Sequence, residues 1–259
     1  MNSLKQRLKQ YKYQFDFAKR IFMDKKFYET YKISKDEGRK KGSRTEIISF
    51  LLEMIDGVNY LEIGVRNPND NFNKIKSKNK YSVDPGVEFR NNPVDFKITS
   101  DEFFRELKIN TPHFPFDIKF DVIFIDGLHL ADQVERDIFN AMDFISQKGF
   151  VVVHDCNPPT EFHARESFGF KNSPARGFWN GTTWKAFYKI RHEQNLHSIC
   201  FDTDWGVGVI SKNKYPEFNN LEFPIKNSFY EFNTHLENKE HYMNLQDFDS
   251  WSIKMKKTL

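Results

Sequence analysis

Two segments restrict this chain more than any other feature. They are Phe120-Asp121-Val122-Ile123-Phe124-Ile125-Asp126-Gly127-Leu128-His129 and Gly149-Phe150-Val151-Val152-Val153-His154-Asp155. Each is a short run of β-branched and aromatic residues that stops on acidic and imidazole side chains. Apolar runs without alternation suit strands buried on both faces, as in parallel sheets covered by helices. In such sheets, ligands bind in the crevice outside the carboxyl ends of the strands. Polar groups gathered at two strand ends therefore mark a site.

The 259 residues suffice for one large α/β domain with appendages, and no Pro/Ser/Gly-rich linker divides them. Lys and Arg number 39 against 36 Asp and Glu, a balance of +3 too even to suggest a dedicated nucleic-acid binder on charge alone. The basic residues concentrate in the first 45 positions and the last few. A solvated helical face is the plainer reading of that arm, and a membrane-surface or partner contact the sharper one. Cys156 and Cys200 are too few for a disulfide scaffold and lack metal-binding spacing. No apolar run approaches the ~20 residues of a membrane-crossing helix, and no leader pattern is present, so a reducing cytoplasm is expected.

Residues 4–32 carry apolar positions at helical spacing (Leu4, Leu8, Tyr11, Phe15, Ala18, Phe22), which predicts one or two leading helices. Ser43 followed by Glu46 reads as an N-cap, opening a helix with Ile47, Ile48, Leu51, Leu52 and Ile55 on one face and a stop at Gly57. Strands are expected at 59–63, 80–84, 94–98, 120–126, 150–155, 197–202 and 207–211. A helix whose face is Val134, Ile138, Ala141, Met142 and Ile145 precedes Gly149. Asp204-Trp205-Gly206 suits a hairpin between the last two strands. The pattern implies a Rossmann-like, doubly wound, mainly parallel seven-stranded sheet with an antiparallel strand near its edge. The expected units are an N-terminal helical extension (1–42), the Rossmann-like domain (43–211) and a C-terminal extension packed on it (212–259).

The first chemical signal is Tyr60-Leu61-Glu62-Ile63-Gly64, a strand running into a glycine turn, with Tyr81-Ser82-Val83-Asp84 ending the next strand on a carboxylate. An acid at that second tip is placed to accept hydrogen bonds from ribose hydroxyls. Asn67-Pro68-Asn69-Asp70 stands where a dinucleotide's pyrophosphate needs further glycines, which argues against NAD or FAD and leaves a ribose-bearing cofactor without phosphates. The bland alternative is a plain turn glycine and a solvated acid.

On these residues, from about 43 to 211, the chain resembles the class I S-adenosylmethionine-dependent methyltransferases. The resemblance implies that Glu62 and Gly64 lie by the methionine part of the cofactor, that Asp84 holds the ribose, and that Thr99–Phe104, with Ser100, flanks the adenine. Asp126 joins the cofactor-binding set. The second signal, Asp126-Gly127-Leu128-His129 with His154-Asp155, is similar to methyltransferases of sugar and natural-product hydroxyls and to cephalosporin-hydroxylase-like proteins. It also resembles, distantly, catechol-type O-methyltransferases. That likeness implies a Mg²⁺ site at Asp126 and Asp155, which would lower an acceptor hydroxyl's pKa and fix its oxygen. The chain departs from it at Cys156, where catechol-type enzymes carry an amide ligand, and at His154, where some sugar enzymes carry Glu.

His129 is the candidate general base because an imidazole titrates near neutrality, with Asp126 and His154 as further catalytic candidates. Its plain alternative is a helix cap or a single hydrogen bond. The long segment 157–183 leaves the strand of Asp155 and is placed to cover an acceptor. Trp179 offers a flat face for a sugar ring, and Arg165 or Arg176 a partner for an anionic group; a structural excursion packed by aromatics is the equal alternative. The resulting expectation is an O-methyltransferase for a hydroxyl of a sugar, glycan or other small molecule, with no nucleic-acid partner. The leading helices are candidates for exchange between subunits of a homo-oligomer. The rival readings are a non-catalytic methyltransferase-like module or partner subunit, a nucleic-acid methylase, and an iron oxygenase.

Overall fold

The computed structural model describes residues 2–89, 91–109, 117–169, 173–221 and 231–258. Two helices lead the chain, α1 (Asn2–Met23) and α2 (Lys25–Glu37). There follow α3 (Arg44–Met54), β1 (Asn59–Ile63), β2 (Asn79–Val83), α4 (Ser100–Lys108), β3 (Phe120–Ile125), α5 (Ala131–Phe144) and β4 (Ile145–Val153). The chain closes with α6 (Thr183–Ile190), β5 (His197–Phe201), β6 (Val207–Ser211), α7 (Phe232–Tyr242), β7 (Leu245–Gln246) and α8 (Phe248–Thr258). One seven-stranded sheet forms in the order β2-β1-β3-β4-β6-β5-β7. Pairing is parallel except that β6 runs antiparallel to both β4 and β5.

Alternation along each strand divides the core into two layers. Leu61, Ile63, Ile123, Ile125, Val151 and Val153 face α4, α5 and α6, while Tyr60, Val122, Phe124, Phe150 and Val152 face α3 and α8. Both faces are therefore apolar, the condition that the unbroken runs at 120–125 and 150–153 impose. Local signals fix several boundaries. The Ser43 hydroxyl accepts from the Glu46 N–H and opens α3, and Thr99 with Glu102 forms a capping box on α4. Gly64, at φ +92°, closes β1 so near β3 that a Cβ would stand 2.3 Å from the Asp126 carbonyl oxygen. Gly64→Ala is expected to cost ~3 kcal/mol, from left-handed strain plus overpacking, read as a shift in the denaturant midpoint.

Two expectations are corrected. Residues 94–98 form no strand, because the Asp95 carboxylate takes the Ser82 N–H (2.9 Å) that a neighbouring carbonyl would hold, leaving a single bridge between Val83 and Phe96. The seventh strand is instead the two-residue β7, which pairs with β5. The α5 helix also stops earlier than its apolar spacing implies, so Ile145 and Gly149 both belong to β4. Among the described residues beyond 211, α8 lies against the sheet face of α3. Trp251 of α8 packs on Phe50 and Phe201, with ring centroids 5.6 and 5.1 Å away.

Candidate active site at the strand tips

Four parallel strands, β2, β1, β3 and β4, end at one edge of the sheet. Because β6 is antiparallel to β4, the Asp204–Gly206 turn before it stands at that same edge. The rim thus gathers Asp84, Gly64, Asp126, His154, Asp155 and Asp204. Asp155 (φ +63°) and Asp204 (φ +45°) both take left-handed backbone, which Asp tolerates better than bulkier residues. Such strain concentrates where a structure holds functional groups.

The side chains at the β3 and β4 tips interlock. The Asp126 Oδ1 lies 3.2 Å from His129 Nε2 and 3.2 Å from His154 Nδ1. Asp155 Oδ2 lies 3.1 Å from His129 Nδ1 and 3.3 Å from His154 Nδ1. On the far side, His154 Nε2 approaches Asp204 Oδ1 at 3.3 Å. Arg44, the first residue of α3, donates its backbone N–H to Asp204 Oδ2 (2.8 Å) and brings its guanidinium to 3.4 Å from Asp126 Oδ2. Its Nη1 also lies 2.8 Å from His154 Nε2. A ring nitrogen cannot accept from Arg44 while donating to Asp204. Three carboxylates around two rings decide for charged rings, and Arg44 then serves Asp126 and Asp204.

Burial alone would lower both histidine pKa values, but the carboxylates overcome it. Asp155 and Asp126 raise His129 to about 9, and the same pair lifts His154 well above its ordinary value. Burial opposes ionisation of Asp126, yet His154, His129 and Arg44 hold it well below the usual carboxylate range. Asp204, half-buried, is likewise held at about 2 by His154 and Arg44 against the cost of desolvation. The expectation that His129 titrates near neutrality is thereby corrected. In this arrangement it is an imidazolium at neutral pH.

Residues 179–182, just before α6, close over His129. Trp179 stacks on its ring (centroids 5.2 Å apart, planes at 24°), and the Trp179 carbonyl lies 2.9 Å from His129 Nδ1. Gly181, at φ +61°, lets the returning chain touch His129, since a Cβ there would meet the His129 carbonyl oxygen at 2.0 Å. Trp179 also meets Phe168 (5.6 Å), and its indole N–H donates to the Arg165 carbonyl (2.7 Å). The Arg165 guanidinium donates to the carbonyls of Phe162 and Phe178, which pins the loop. Arg176 is exposed. Of the three residues placed on the acceptor side, only Trp179 therefore touches the rim cluster, by the face that stacks on His129.

On the other side of the rim, Glu62 is buried and accepts from Tyr60 Oη (2.6 Å) and Asn71 Nδ2 (2.9 Å). Burial pushes its pKa up to about 7 against those donors. Asp84 accepts the Gly86 N–H on Oδ1 (2.6 Å), a local turn that orients the carboxylate and leaves Oδ2 for a ligand. Ser100 lies on α4 and accepts from Gln133 Nε2 at 3.2 Å, tying α4 to α5. Sequence reasoning missed Arg44 and Asp204. Arg44 reads only as the residue after a helix cap and Asp204 only as a turn former; no motif marks either.

The donor set at the rim can be tested against a metal. Among the described residues, Asp126, His154 and Asp155 form one group whose ligand atoms all lie within 4.8 Å of one another. Two carboxylates and an imidazole fit a divalent ion. The imidazole moves the preference from Mg²⁺ toward a first-row transition ion such as Mn²⁺ or Zn²⁺. Cys156 takes no part, since its thiol is buried and directed at the Val153 carbonyl. His129 falls outside the group, so the two-histidine set of an iron oxygenase is not assembled among the described residues.

Residues 69–156 match the family model described as a methyltransferase domain. The match, about a third of the chain, begins after Glu62 and Gly64, spans β2, α4, β3, α5 and β4, and ends just past Asp155. With the sheet order, it agrees with the resemblance to class I S-adenosylmethionine-dependent methyltransferases read from the sequence; the acceptor lies outside what it covers. Among solved structures, the chain is similar to an O-methyltransferase from Bacillus cereus in complex with SAH (13% identity, 72% of this chain and 89% of that one, TM-score 0.41). It is also similar to a putative caffeoyl-CoA O-methyltransferase from Staphylococcus aureus (12%, 78% and 99%, 0.44). A third is an O-methyltransferase from Streptomyces achromogenes involved in tomaymycin synthesis (11%, 73% and 89%, 0.37). At these identities and scores the likenesses add nothing to the sheet order described above. No curated protein matches the chain.

Proposed function

We propose that this chain is a cytoplasmic O-methyltransferase that transfers the methyl group of S-adenosylmethionine to a hydroxyl of a sugar, glycan or other small molecule. The observation that carries the reading is the sharing of one rim by two sets of groups. Asp84 and the Glu62–Gly64 turn stand at β2 and β1, while Asp126, His129 and Asp155 stand at β3 and β4 next to them. Bound S-adenosylmethionine supplies an electrophilic methyl carbon on a sulfonium. The protein's share is to hold the acceptor oxygen ~3 Å from that carbon, in line with the breaking bond, and to take its proton.

In this reading Asp84 accepts the ribose hydroxyls on Oδ2, and Glu62 orients the methionine end through the hydrogen bonds that fix it. His129 takes the hydroxyl proton once its own is released, with Asp126 and Asp155 stabilising the imidazolium. Trp179 shields the ring from water. Asp126 and Asp155, with His154, are the residues that would hold a divalent ion, whose chemistry is to acidify a hydroxyl. The non-catalytic reading predicts cofactor binding without turnover on any hydroxyl acceptor.

Calorimetric titration of the protein with S-adenosylmethionine is the test. Micromolar binding is expected, with Asp84→Ala weakening it roughly 10- to 100-fold, as loss of a charge-assisted hydrogen bond of ~1.5–3 kcal/mol implies. No heat of binding with the intact protein removes the proposal.

A further inference from the structure

Only one of the two apolar faces of α1 is packed. Tyr13, Phe17 and Ile21 are half-buried, and the Phe17 ring lies 5.2 Å from Phe27 and 5.4 Å from Tyr31 of α2. On the opposite face Leu4, Leu8, Tyr11, Phe15 and Phe22 stand 60% to 87% exposed. With Ala18 they recur at alternating intervals of four and three residues, which makes one continuous stripe along the helix. Contiguous apolar surface of this kind marks a place where something binds.

The borders of the stripe narrow what that is. Lys5, Lys12 and Lys19 run along one side at seven-residue intervals, and Arg7 stands on the other. Across α1, Asp16 is the single acidic residue against Lys5, Arg7, Lys9, Lys12, Lys19 and Arg20. Packing two copies stripe to stripe would set these flanking cations against one another, where coiled coils instead place opposite charges. The asymmetry extends to the whole chain. Residues 1–45 hold fourteen Lys and Arg against five Asp and Glu, a balance of +9, so the remaining residues carry −6 of the total +3.

We propose that α1 lies in the plane of an anionic lipid surface, its apolar stripe in the acyl boundary and its lysines at the phosphates. Aromatic and leucine side chains bordered by lysines are the composition of such interfacial helices, and lysine stems extend along the apolar face while their charges reach the headgroups. The stripe runs ~27 Å from Leu4 to Phe22 at the helical rise, longer than a pocket for a single side chain. No helix among the described residues is long and apolar enough to cross a membrane, so the contact is lateral. The attachment is on the rim side of the body. Lys26 of α2 pairs with Glu161 (2.7 Å), and Ser34 bonds His163 (3.2 Å), both on the loop that reaches His129.

The test is vesicle flotation of the full chain, with phosphatidylcholine vesicles and with mixed phosphatidylcholine–phosphatidylglycerol vesicles, in the absence of any methyl donor. Binding to the mixed vesicles alone is expected, weakening as salt is added. Lys12→Gln combined with Lys19→Gln should lower the partition coefficient roughly 25-fold, about fivefold for each charge lost. Phe15→Glu should abolish binding while leaving circular dichroism unchanged, because Phe15 is exposed. Failure to float with the mixed vesicles overturns the proposal. So does a lipid-free dimer in sedimentation that Phe15→Glu dissociates, which would seat a second copy on the stripe. Capture of an acidic protein by the stripe without vesicle binding overturns it equally. None of these readings depends on cofactor binding or turnover.

Discussion

His129→Ala lowers methyl transfer to a hydroxyl acceptor on the order of 10²- to 10⁴-fold, the range for loss of a positioned base, and leaves S-adenosylmethionine affinity within about twofold. The expectation rests on position. His129 is held between Asp126 and Asp155 and capped by Trp179, on the side of the rim away from Asp84. With its pKa at about 9, the ring holds its proton at neutral pH, so in metal-free protein kcat/KM should climb with pH and level off above about 9. A rate for the alanine variant equal to that of the parent at every pH would remove His129 from the reaction.

The same shift predicts a stability signature of fixed sign. A histidine raised from 6.5 to about 9 contributes stability that is fully present below pH 6.5 and is lost as pH rises through about 9. Glu62, raised from 4.5 to about 7, loses its contribution in the same direction but is finished earlier. Denaturant midpoints should therefore fall between pH 7 and 9, and fall less in His129→Ala. His154 keeps part of the slope, since its ring is raised by the same carboxylates.

Where the sequence announced a site it did so through strand ends, and the reason is topological. The runs at 120–125 and 150–153 have no polar face, so each must sit inside the sheet, and whatever follows them must emerge at its edge. Asp126, His129, His154 and Asp155 were legible for that reason. Ser43 announced α3 through a local hydrogen bond that needs no tertiary context. Residues 94–98 misled because their alternation suits an edge strand, whereas Asp95 spends its carboxylate on Ser82. The hidden residues are those whose role depends on contacts distant in sequence. Arg44 meets Asp204 across 160 positions, and no spacing rule links a helix start to a hairpin turn. The raised proton affinity of His129 was hidden as well, because it arises from two acids on different strands closing on one ring.

Those two acids also decide the largest remaining effect. Asp126 and Asp155 hold two imidazole rings in this structure, and the same oxygens are the carboxylate ligands available to a divalent ion. The two uses compete for the same lone pairs, so they have opposite signatures. If an ion is resident, a chelator lowers turnover to the residual rate of the metal-free protein, whose pH profile His129 sets, and Mn²⁺ restores it. Asp155→Asn then weakens Mn²⁺ binding on the order of 100-fold or more, since loss even of a residue that merely orients a ligand costs 10- to 100-fold. If the histidines keep the carboxylates, the chelator leaves the rate unchanged. Asp155→Asn then removes the foremost influence raising His129, and the alkaline limb of the pH–rate profile moves toward neutrality. The donor chemistry favours the first outcome, because two acidic side chains and an imidazole within 4.8 Å are a better match to one divalent charge than to two imidazolium rings crowded by Arg44. Paramagnetic resonance of Mn²⁺ titrated into the parent and Asp155→Asn proteins separates the two directly.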